Sequence, residues 1–356
     1  MTFSEELIRW YNLHKRHLPW RTTKDPYIIW ISEIILQQTR VEQGLPYFYK
    51  FTENYPTVTD FANASEDEIL KLWQGLGYYS RGRNMLKTAR LVKENYGGHF
   101  PKTYDELIKL TGIGQYTASA ISSFAANEPK AVVDGNVYRV LSRYFGIEEP
   151  INSTSGKKIF QQLADEVLNQ EHPGLHNQAM MEFGAILCKP KNPACGTCPV
   201  RTGCYAFLNK ATTSLPVKLK TVKIRERYFN YLLITDGETI LMNKRGTGDI
   251  WANMYDLPLI ETSSLLPPEQ VLNLSETQQI FYSKAQPVEI FSVQKHILTH
   301  QRLHIRFLHF NTQAIKLKQE WFSIEVENLK KLAMPQIIFI FLTNFFKFKN
   351  NSLFSN

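Results

Sequence analysis

Residues 188–204 read CKPKNPACGTCPVRTGC and hold all four cysteines of the chain, spaced C-x6-C-x2-C-x5-C. Thiols this close together in sequence can converge on one metal centre. Zinc more often uses two separated short pairs, whereas a single segment with longer loops is typical of a cubane iron–sulfur cluster. A disulfide framework would spread its cysteines more widely and would need an oxidising compartment. The spacing favours an iron–sulfur centre, with zinc and unmetallated thiols as the alternatives.

The rest of the composition is that of an ordinary globular protein. The chain has 356 residues, 43% hydrophobic and 21% charged, and this length predicts two or three domains. Apolar runs fall short of the ~18 residues that a membrane span needs, and charges near the N-terminus argue against a secretory signal. The net charge of +8 suits a nucleic-acid partner, although solubility alone explains it equally well. We expect a cytoplasmic protein that does not bind membranes.

Apolar residues recur at helical spacing through residues 1–208, which predicts an all-α region that ends with the cysteine segment. Residues 209–226 are polar and rich in Lys and Thr, so they read as an interdomain linker. Residues 227–346 contain β-branched and aromatic runs with strand-like alternation, at 228–234, 239–242, 289–296 and 303–310. The sequence therefore predicts a second, α+β domain with a helix over 319–332, followed by a tail over 347–356.

The segment LTGIGQYTA at residues 110–118 joins two helical patterns through a pair of glycines. Gly112 and Gly114 allow a tight reversal and a close approach of the backbone to a ligand. The amides at the start of the second helix favour an anion. Taken alone, the segment predicts no more than a turn between two helices.

Two acidic residues stand out by their surroundings. Glu33 lies in the apolar helical run IIWISEIIL, residues 28–36, where burial would raise its pKa and keep it protonated near neutral pH, as a general acid requires. An exposed position beside Ser32 is the alternative. Asp134 precedes a helical pattern, so it is a natural N-cap whose pKa can stay low. A neutral acid and a fixed anion form the two-carboxylate arrangement that cleaves glycosidic bonds.

The cysteine spacing, the preceding all-α region and the hairpin together resemble the superfamily of endonuclease III and the adenine DNA glycosylases. The resemblance implies a helix-hairpin-helix DNA glycosylase that carries a 4Fe-4S cluster. The implied cluster ligands are Cys188, Cys195, Cys198 and Cys204. The implied contacts with a DNA backbone phosphate are Gly112, Gly114 and Gln115, with a monovalent cation at the hairpin. The superfamily places its essential aspartate in a V-D-G-N-V context, which here is that of Asp134.

Tyr116 separates two branches of this superfamily, because endonuclease III-type enzymes carry here a lysine that forms a Schiff base, and tyrosine cannot. Further segments resemble the adenine DNA glycosylase (MutY) family, namely LPWR at 18–21, SEIILQQT at 32–39, GLGYYSR at 75–81 and NQAMM at 177–181. In that family a glutamate, here Glu33, protonates adenine, assisted by Tyr116 and Asn136. The implied adenine pocket is Leu18, Trp20, Arg21 and Gln178. The implied contacts around the flipped base are Gln38 and Tyr78.

The C-terminal region resembles the Nudix-like domain with which this family recognises 8-oxoguanine opposite the adenine. The segment DIWANMYDLP at 249–258 carries the resemblance, and the R-E-x-x-E-E box of pyrophosphate hydrolases is absent from the sequence. HILTH at 296–300 resembles the H-x-F-S-H lesion loop, with Leu298 and Thr299 in place of Phe and Ser. Thr299 and His300 are the implied lesion contacts. The resemblance implies a monofunctional, monomeric, nucleoid-associated enzyme acting on duplex DNA with adenine opposite 8-oxoguanine or guanine.

Overall fold

The computed structural model describes residues 2–219, 224–282, 285–312, 314–316 and 318–349. Backbone contacts divide the chain into two compact units, Met1–Ala64 with Arg83–Lys220 and Ser65–Gly82 with Thr221–Asn356. We name them the helical unit and the C-terminal unit. No helix in the described part of the chain is long and apolar enough to cross a membrane.

Within the described residues up to 219, the regular structure is helical. In chain order the α-helices are α1 (Phe3–His14), α2 (Pro26–Leu36), α3 (Val41–Asn54), α4 (Val58–Asn63), α5 (Glu66–Leu72), α6 (Ser80–Asn95), α7 (Tyr104–Leu107), α8 (Gln115–Ala126), α9 (Gly135–Phe145), α10 (Thr154–Val167), α11 (Pro173–Glu182) and α12 (Tyr205–Leu208). Helix α5 belongs to the C-terminal unit, and α6 spans both units. The all-α prediction for this region is confirmed.

Side-chain caps and a shared apolar core fix these helices. Thr2 and Glu5 form a reciprocal capping box at the start of α1, which satisfies backbone amides that the helix leaves unpaired. The core of the helical unit lies between α1, α9, α10 and α11, and its members include Leu7, Leu141 and Phe160, each fully buried. Burying one such side chain contributes about 1.5–3 kcal/mol. The core thus holds the beginning of the chain against the helices that precede the cysteine segment.

The C-terminal unit combines two small sheets with short helices. Its strands are β1 (Arg225–Ile234), β2 (Thr239–Lys244), β3 (Tyr255–Asp256), β4 (Leu259–Thr262), β5 (Glu289–Ile290), β6 (Gln294–Ile297), β7 (Gln301–Phe310) and β8 (Trp321–Glu325). One sheet has the order β4-β1-β7-β5, with β6 also paired to β7, and the other has the order β3-β2-β8. Strands β1 and β7 run parallel, with Arg225 opposite Gln301 and Ile234 opposite Phe310. The helices after β4 are α13 (Pro268–Leu272), α14 (Ser275–Gln278) and α15 (Gln336–Lys349).

The apolar C-terminal helix α15 is part of the core of this unit. Phe341 stacks on Phe307 of β7 with ring centroids 3.6 Å apart and planes at 4°. Phe345 meets Phe291 at 6.0 Å in an edge-on arrangement. These contacts account for the dense run of aromatic and aliphatic residues near the end of the sequence.

Helix α5 groups with the C-terminal unit through polar contacts with residues far along the chain. The Asn253 Nδ2 donates to Glu66 Oε1 at 2.6 Å, and the Tyr255 hydroxyl donates to Asp67 Oδ2 at 2.8 Å. Lys71 Nζ donates to the backbone oxygen of Leu332 at 3.0 Å.

Several predicted element boundaries differ from the structure. The helix predicted over 319–332 is wrong, because this stretch forms strand β8, paired with β2, and a 3₁₀ helix at Val326–Lys331. A five-residue strand at the rim of a sheet leaves too short an alternation to separate it from a helix. The run predicted at 289–296 is interrupted between β5 and β6. Strand β1 begins inside the predicted linker, α15 continues into the predicted tail as far as Lys349, and residues 350–356 lie outside the described residues.

Candidate active site

Glu33 is a buried carboxyl on the apolar helix α2. Only 6% of Glu33 is exposed, and the Tyr116 hydroxyl donates to its Oε2 at 2.7 Å. The pKa of Glu33 is raised from 4.5 to about 7, chiefly by burial and also by the charge of Asp134, against the Tyr116 hydrogen bond and the charge of Arg21, which lower it. A substantial share of Glu33 therefore carries its proton near neutral pH, and the burial that the apolar helix predicts is confirmed.

Asp134 caps the N-terminus of α9. Its Oδ1 accepts from the backbone N–H groups of Asn136 and Val137, each at 2.8 Å, and its Oδ2 accepts from Asn136 Nδ2 at 2.8 Å. Asp134 is partly exposed to solvent. Burial nevertheless raises its pKa above the usual 3.8. The expectation that the capping role would keep this pKa low is therefore wrong in direction. The three hydrogen bonds and the Arg139 charge oppose this rise.

The two carboxyls differ in what surrounds their oxygens. Asp134 accepts three hydrogen bonds, and Glu33 accepts one from Tyr116. Hydrogen bonds to a carboxylate favour its charged form, and two neighbouring carboxylates disfavour double ionisation. At neutral pH a single shared proton therefore belongs on Glu33, which leaves Asp134 as the anion. The arrangement places an acid and a negative charge close enough to interact.

The predicted pocket residues lie in the helical unit, and one of them, Arg21, is close enough for its charge to act on Glu33. Leu18 and Trp20 are 7% and 8% exposed, and Trp20 packs edge-on against Phe48 with centroids 5.1 Å apart. Arg21 donates to Glu182 at 2.7 Å, and Gln178 accepts a hydrogen bond from Tyr11 at 2.7 Å. The polar members of the predicted pocket are thus each tied to a neighbour.

The hairpin at residues 110–118 has the geometry expected of a tight reversal before α8. Gly112 has φ +80°, and a Cβ there would lie 2.9 Å from Asn84 Cβ, so a side chain is excluded. A Cβ at Gly114 would meet nothing within 4 Å, so nothing in the described fold requires glycine there. Gly114 and Gln115 are exposed at the start of α8. Gln38, just past α2, is also exposed and has φ +56°.

Known proteins are similar to this chain in both sequence and fold. Residues 31–169 match the family model of the HhH-GPD superfamily base excision DNA repair protein, and residues 230–344 match the NUDIX domain model. An adenine DNA glycosylase of Buchnera aphidicola subsp. Baizongia pistaciae is 32% identical over 360 residues, 99% of each chain. The chain belongs to the adenine DNA glycosylase family.

Further relatives agree with this membership. The human adenine DNA glycosylase is 43% identical over 213 residues, which are 57% of this chain and 39% of that one. The structure of a thermostable thymine-DNA glycosylase covers 58% of this chain and 95% of its own, with 31% identity and a TM-score of 0.54. An endonuclease III–DNA complex, with 23% identity and a TM-score of 0.51, shares the fold. The predicted fold class is confirmed, and the chain is a DNA glycosylase of base excision repair.

In this member of the adenine DNA glycosylase family the four cysteines line one small cavity of about 30 Å³. In the described part of the chain, no three His, Cys, Asp or Glu side chains are arranged to hold a metal ion. Arg143, 3% exposed, donates to Cys188 Sγ at 3.4 Å and to the Lys189 oxygen at 2.8 Å. Four thiols around one cavity, with the buried Arg143 cation beside them, are a donor set that fits an anionic metal centre such as an iron–sulfur cluster.

A buried arginine that the sequence reasoning missed joins this loop to Asp134. Arg139 on α9 donates to Asn136 Oδ1 at 2.9 Å and to the Cys188 oxygen at 2.8 Å. Asn136 in turn donates to Asp134. The sequence does carry a signal for Arg139, because it is a charged residue on the buried face of the amphipathic helix α9.

The C-terminal unit of this adenine DNA glycosylase family member brings two predicted contacts together. The Tyr78 and Thr299 hydroxyls are hydrogen-bonded to each other. Thr299 and His300 are exposed between β6 and β7, and Tyr78 is 47% exposed with φ +49°. Thr299 therefore keeps a hydroxyl contact in the position where the family motif has serine.

The sequence reasoning also missed Tyr11, Arg16 and Glu182, which surround Arg21 and Gln178. Glu182 lies in the run MMEFGAI, residues 180–186, so it is an isolated acid among apolar residues. The same pattern singled out Glu33 and would have found Glu182. Tyr11 and Arg16 carry no comparable local signal.

Proposed function

We propose that this chain is a monofunctional glycosylase that removes adenine opposite 8-oxoguanine, or guanine, in duplex DNA. The observation that carries the proposal is the buried Glu33, hydrogen-bonded to Tyr116 at 2.7 Å and close enough to the N-capping Asp134 to feel its charge. Extrusion of the adenine costs a few kcal/mol of unstacking, less for a mismatch. In this proposal the enzyme acts as a monomer in the cytoplasm.

The reaction uses each carboxyl once. Glu33 donates its proton to the five-membered ring of the flipped adenine, and the electron pair of the glycosidic bond leaves with the base. The deoxyribose that remains has oxocarbenium character, which the negative charge of Asp134 stabilises. A water molecule adds to the sugar carbon and releases a proton. The products are adenine and an abasic site.

Tyr116 makes the enzyme monofunctional in this proposal. A glycosylase that also cleaves the strand attacks the sugar with an amine, and the resulting imine can be trapped with borohydride. The phenol of Tyr116 cannot form an imine, and its hydrogen bond to Glu33 gives it a different task. Abundant borohydride-trapped complex would favour the endonuclease III-type alternative.

A 4Fe-4S cluster held by Cys188, Cys195, Cys198 and Cys204 completes the helical unit in this proposal. The cluster would fix the loop after α11, and no step of base removal passes through it. Arg143 would stabilise the thiolate of Cys188. Iron and acid-labile sulfide in anaerobically purified protein would support the cluster, whereas zinc alone would overturn it.

The hairpin and the C-terminal loop supply DNA contacts in this proposal. The amides at Gly112, Gly114 and Gln115 bind a backbone phosphate, with a monovalent cation at the hairpin. Thr299, His300 and Tyr78 contact the oxidised base and its neighbours. The bond between the Tyr78 and Thr299 hydroxyls supports a joint role for these two loops.

A duplex oligonucleotide assay tests the proposal. Duplexes with adenine opposite 8-oxoguanine, guanine or thymine are incubated with excess enzyme, and abasic sites are revealed by alkali. We expect abasic sites at adenine opposite 8-oxoguanine and guanine, and none opposite thymine. No alkali-labile site opposite 8-oxoguanine would show that the substrate assignment is wrong.

A further inference from the structure

A buried carboxylate in the helical unit binds two arginines at the end of α11. Glu182 is 1% exposed, and Arg16 donates to it through its backbone N at 2.9 Å, its Nε at 2.8 Å and its Nη2 at 2.7 Å. Arg21 Nη2 donates to Glu182 Oε2 at 2.7 Å. Burial alone would raise the pKa of Glu182, but the arginines outweigh it and lower that pKa to about 2. Glu182 is therefore a permanent anion.

Tyr11 touches both polar residues of the predicted adenine pocket. Its hydroxyl donates to Gln178 Oε1 at 2.7 Å, and its ring lies 5.5 Å from the guanidinium carbon of Arg21. Arg21 also donates to the backbone oxygen of Arg16 at 3.1 Å. Arg21 is thus held by a carboxylate, a carbonyl and an aromatic face, and Gln178 is held by the phenol.

We propose that Tyr11 and Glu182 are positioning residues that set Arg21 and Gln178 for the flipped adenine. This inference rests on the proposed function. Because Gln178 accepts the Tyr11 bond at its oxygen, its amide NH2 group is the end that donates to a ring nitrogen of the base. Glu182 fixes the direction of the Arg21 guanidinium, whose hydrogen bonds have a rigid planar geometry.

A double-mutant cycle separates positioning from a general effect on stability. Glu182→Gln keeps the shape and removes the charge, and we expect it to lower the single-turnover rate of adenine excision roughly 10–100-fold, the cost of small misplacement in an active site. If Glu182 acts through Arg21, Glu182→Gln has no further effect when Arg21 is already Ala. If Glu182→Gln slows excision by the same factor in wild type and in Arg21→Ala, Glu182 does not act through Arg21 and its positioning role is overturned.

A matched pair of hydroxyl deletions tests Tyr11. Tyr11→Phe and Ser4→Ala each remove one buried hydrogen bond between α1 and α11, because Ser4 Oγ lies 2.7 Å from His176 Nδ1. Only Tyr11 contacts a predicted pocket residue. We expect Tyr11→Phe to slow excision about tenfold or more and Ser4→Ala to leave it unchanged, at similar unfolding temperatures. Equal rates for the two variants would overturn the role of Tyr11.

The wild-type enzyme distinguishes failure of this inference from failure of the proposed function. Wild type that releases no adenine opposite 8-oxoguanine refutes the proposed function and the inference with it. An active wild type with an additive cycle refutes the inference alone. If Glu182→Gln does not fold, as judged by circular dichroism, the comparison of Tyr11→Phe with Ser4→Ala decides.

Discussion

Replacing Glu33 by glutamine should abolish excision and at the same time stabilise the protein at alkaline pH. The folded state holds the proton on Glu33 up to about pH 7, whereas an exposed glutamate in the unfolded chain releases it near pH 4.5. Between these values the folded state binds more protons than the unfolded state, so wild-type stability falls as pH rises. The loss is complete above pH 7. Glutamine does not ionise, so the Glu33→Gln variant does not lose this stability as pH rises.

The size of the effect follows from the raised pKa. The difference from 4.5 to about 7 corresponds to roughly 3 kcal/mol at about 1.36 kcal/mol per pH unit. At 6% exposure, Glu33 is screened little by solvent, so most of this energy should be measurable. The Glu33→Gln variant should therefore gain about 3 kcal/mol over wild type near pH 8 and about 0.8 kcal/mol near pH 5.

Urea unfolding of both proteins near pH 5 and near pH 8 measures this difference. Glu53→Gln is the matched control, because it makes the same chemical change at an exposed carboxyl on α3, and its effect on stability should be small. A gain for Glu33→Gln that does not grow with pH would refute the assignment of Glu33 as a neutral buried acid. The same protein should release no adenine in single-turnover reactions.

Three further predictions concern other parts of the molecule. Asp134→Asn keeps the cap oxygen for the α9 amides but removes the charge and the hydrogen bond from Asn136 Nδ2, so excision should fall roughly 100–1,000-fold while stability falls by only about 1–2 kcal/mol. Gly112→Ala places a Cβ 2.9 Å from Asn84 at φ +80°, so it should lower the free energy of unfolding in urea by about 1–3 kcal/mol. Gly114→Ala has open space around its Cβ, so it should leave stability unchanged. It should weaken DNA binding in a fluorescence anisotropy titration, because the new methyl group lies at the proposed phosphate contact. Phe341→Ala removes a ring stacked at 3.6 Å and should destabilise the C-terminal unit by about 3–5 kcal/mol, seen as loss of its amide protection in hydrogen exchange. Each prediction has a result that would contradict it. These results are unchanged excision by Asp134→Asn, equal stability of Gly112→Ala and Gly114→Ala, and unchanged amide protection in Phe341→Ala.

The sequence points to the two proposed catalytic carboxyls more directly than to the residues that contact Arg21 and Gln178. Glu33 is found because a lone acid in an apolar helix is either exposed or functional, and Asp134 because a helix start after an apolar run favours a capping acid. Both signals lie within a few residues of the group concerned. The family resemblance then orders these local signals along the chain.

The supporting contacts escape such reasoning because they join residues far apart in sequence. The Arg16–Glu182 pair spans 166 residues, and Tyr11 reaches Gln178 across 167. No local spacing links such pairs, and an arginine or a tyrosine near the N-terminus is ordinary in itself. Strand β8 was missed for a related reason, since its partner β2 lies some 80 residues earlier and decides its conformation.

The partners of helix α5 also set an order of events during synthesis on the ribosome. Glu66 and Asp67 bind side chains 187 and 188 residues later, and Lys71 binds an oxygen 261 residues later. At about 5–20 residues per second, α5 spends roughly 10–40 s as a nascent segment before its first partner exists. Its capping box between Ser65 and Glu68 and its charged first turn suit this interval. The cap satisfies backbone amides of α5 locally, and the charged side chains keep its first turn in water, while the rest of the polypeptide is made.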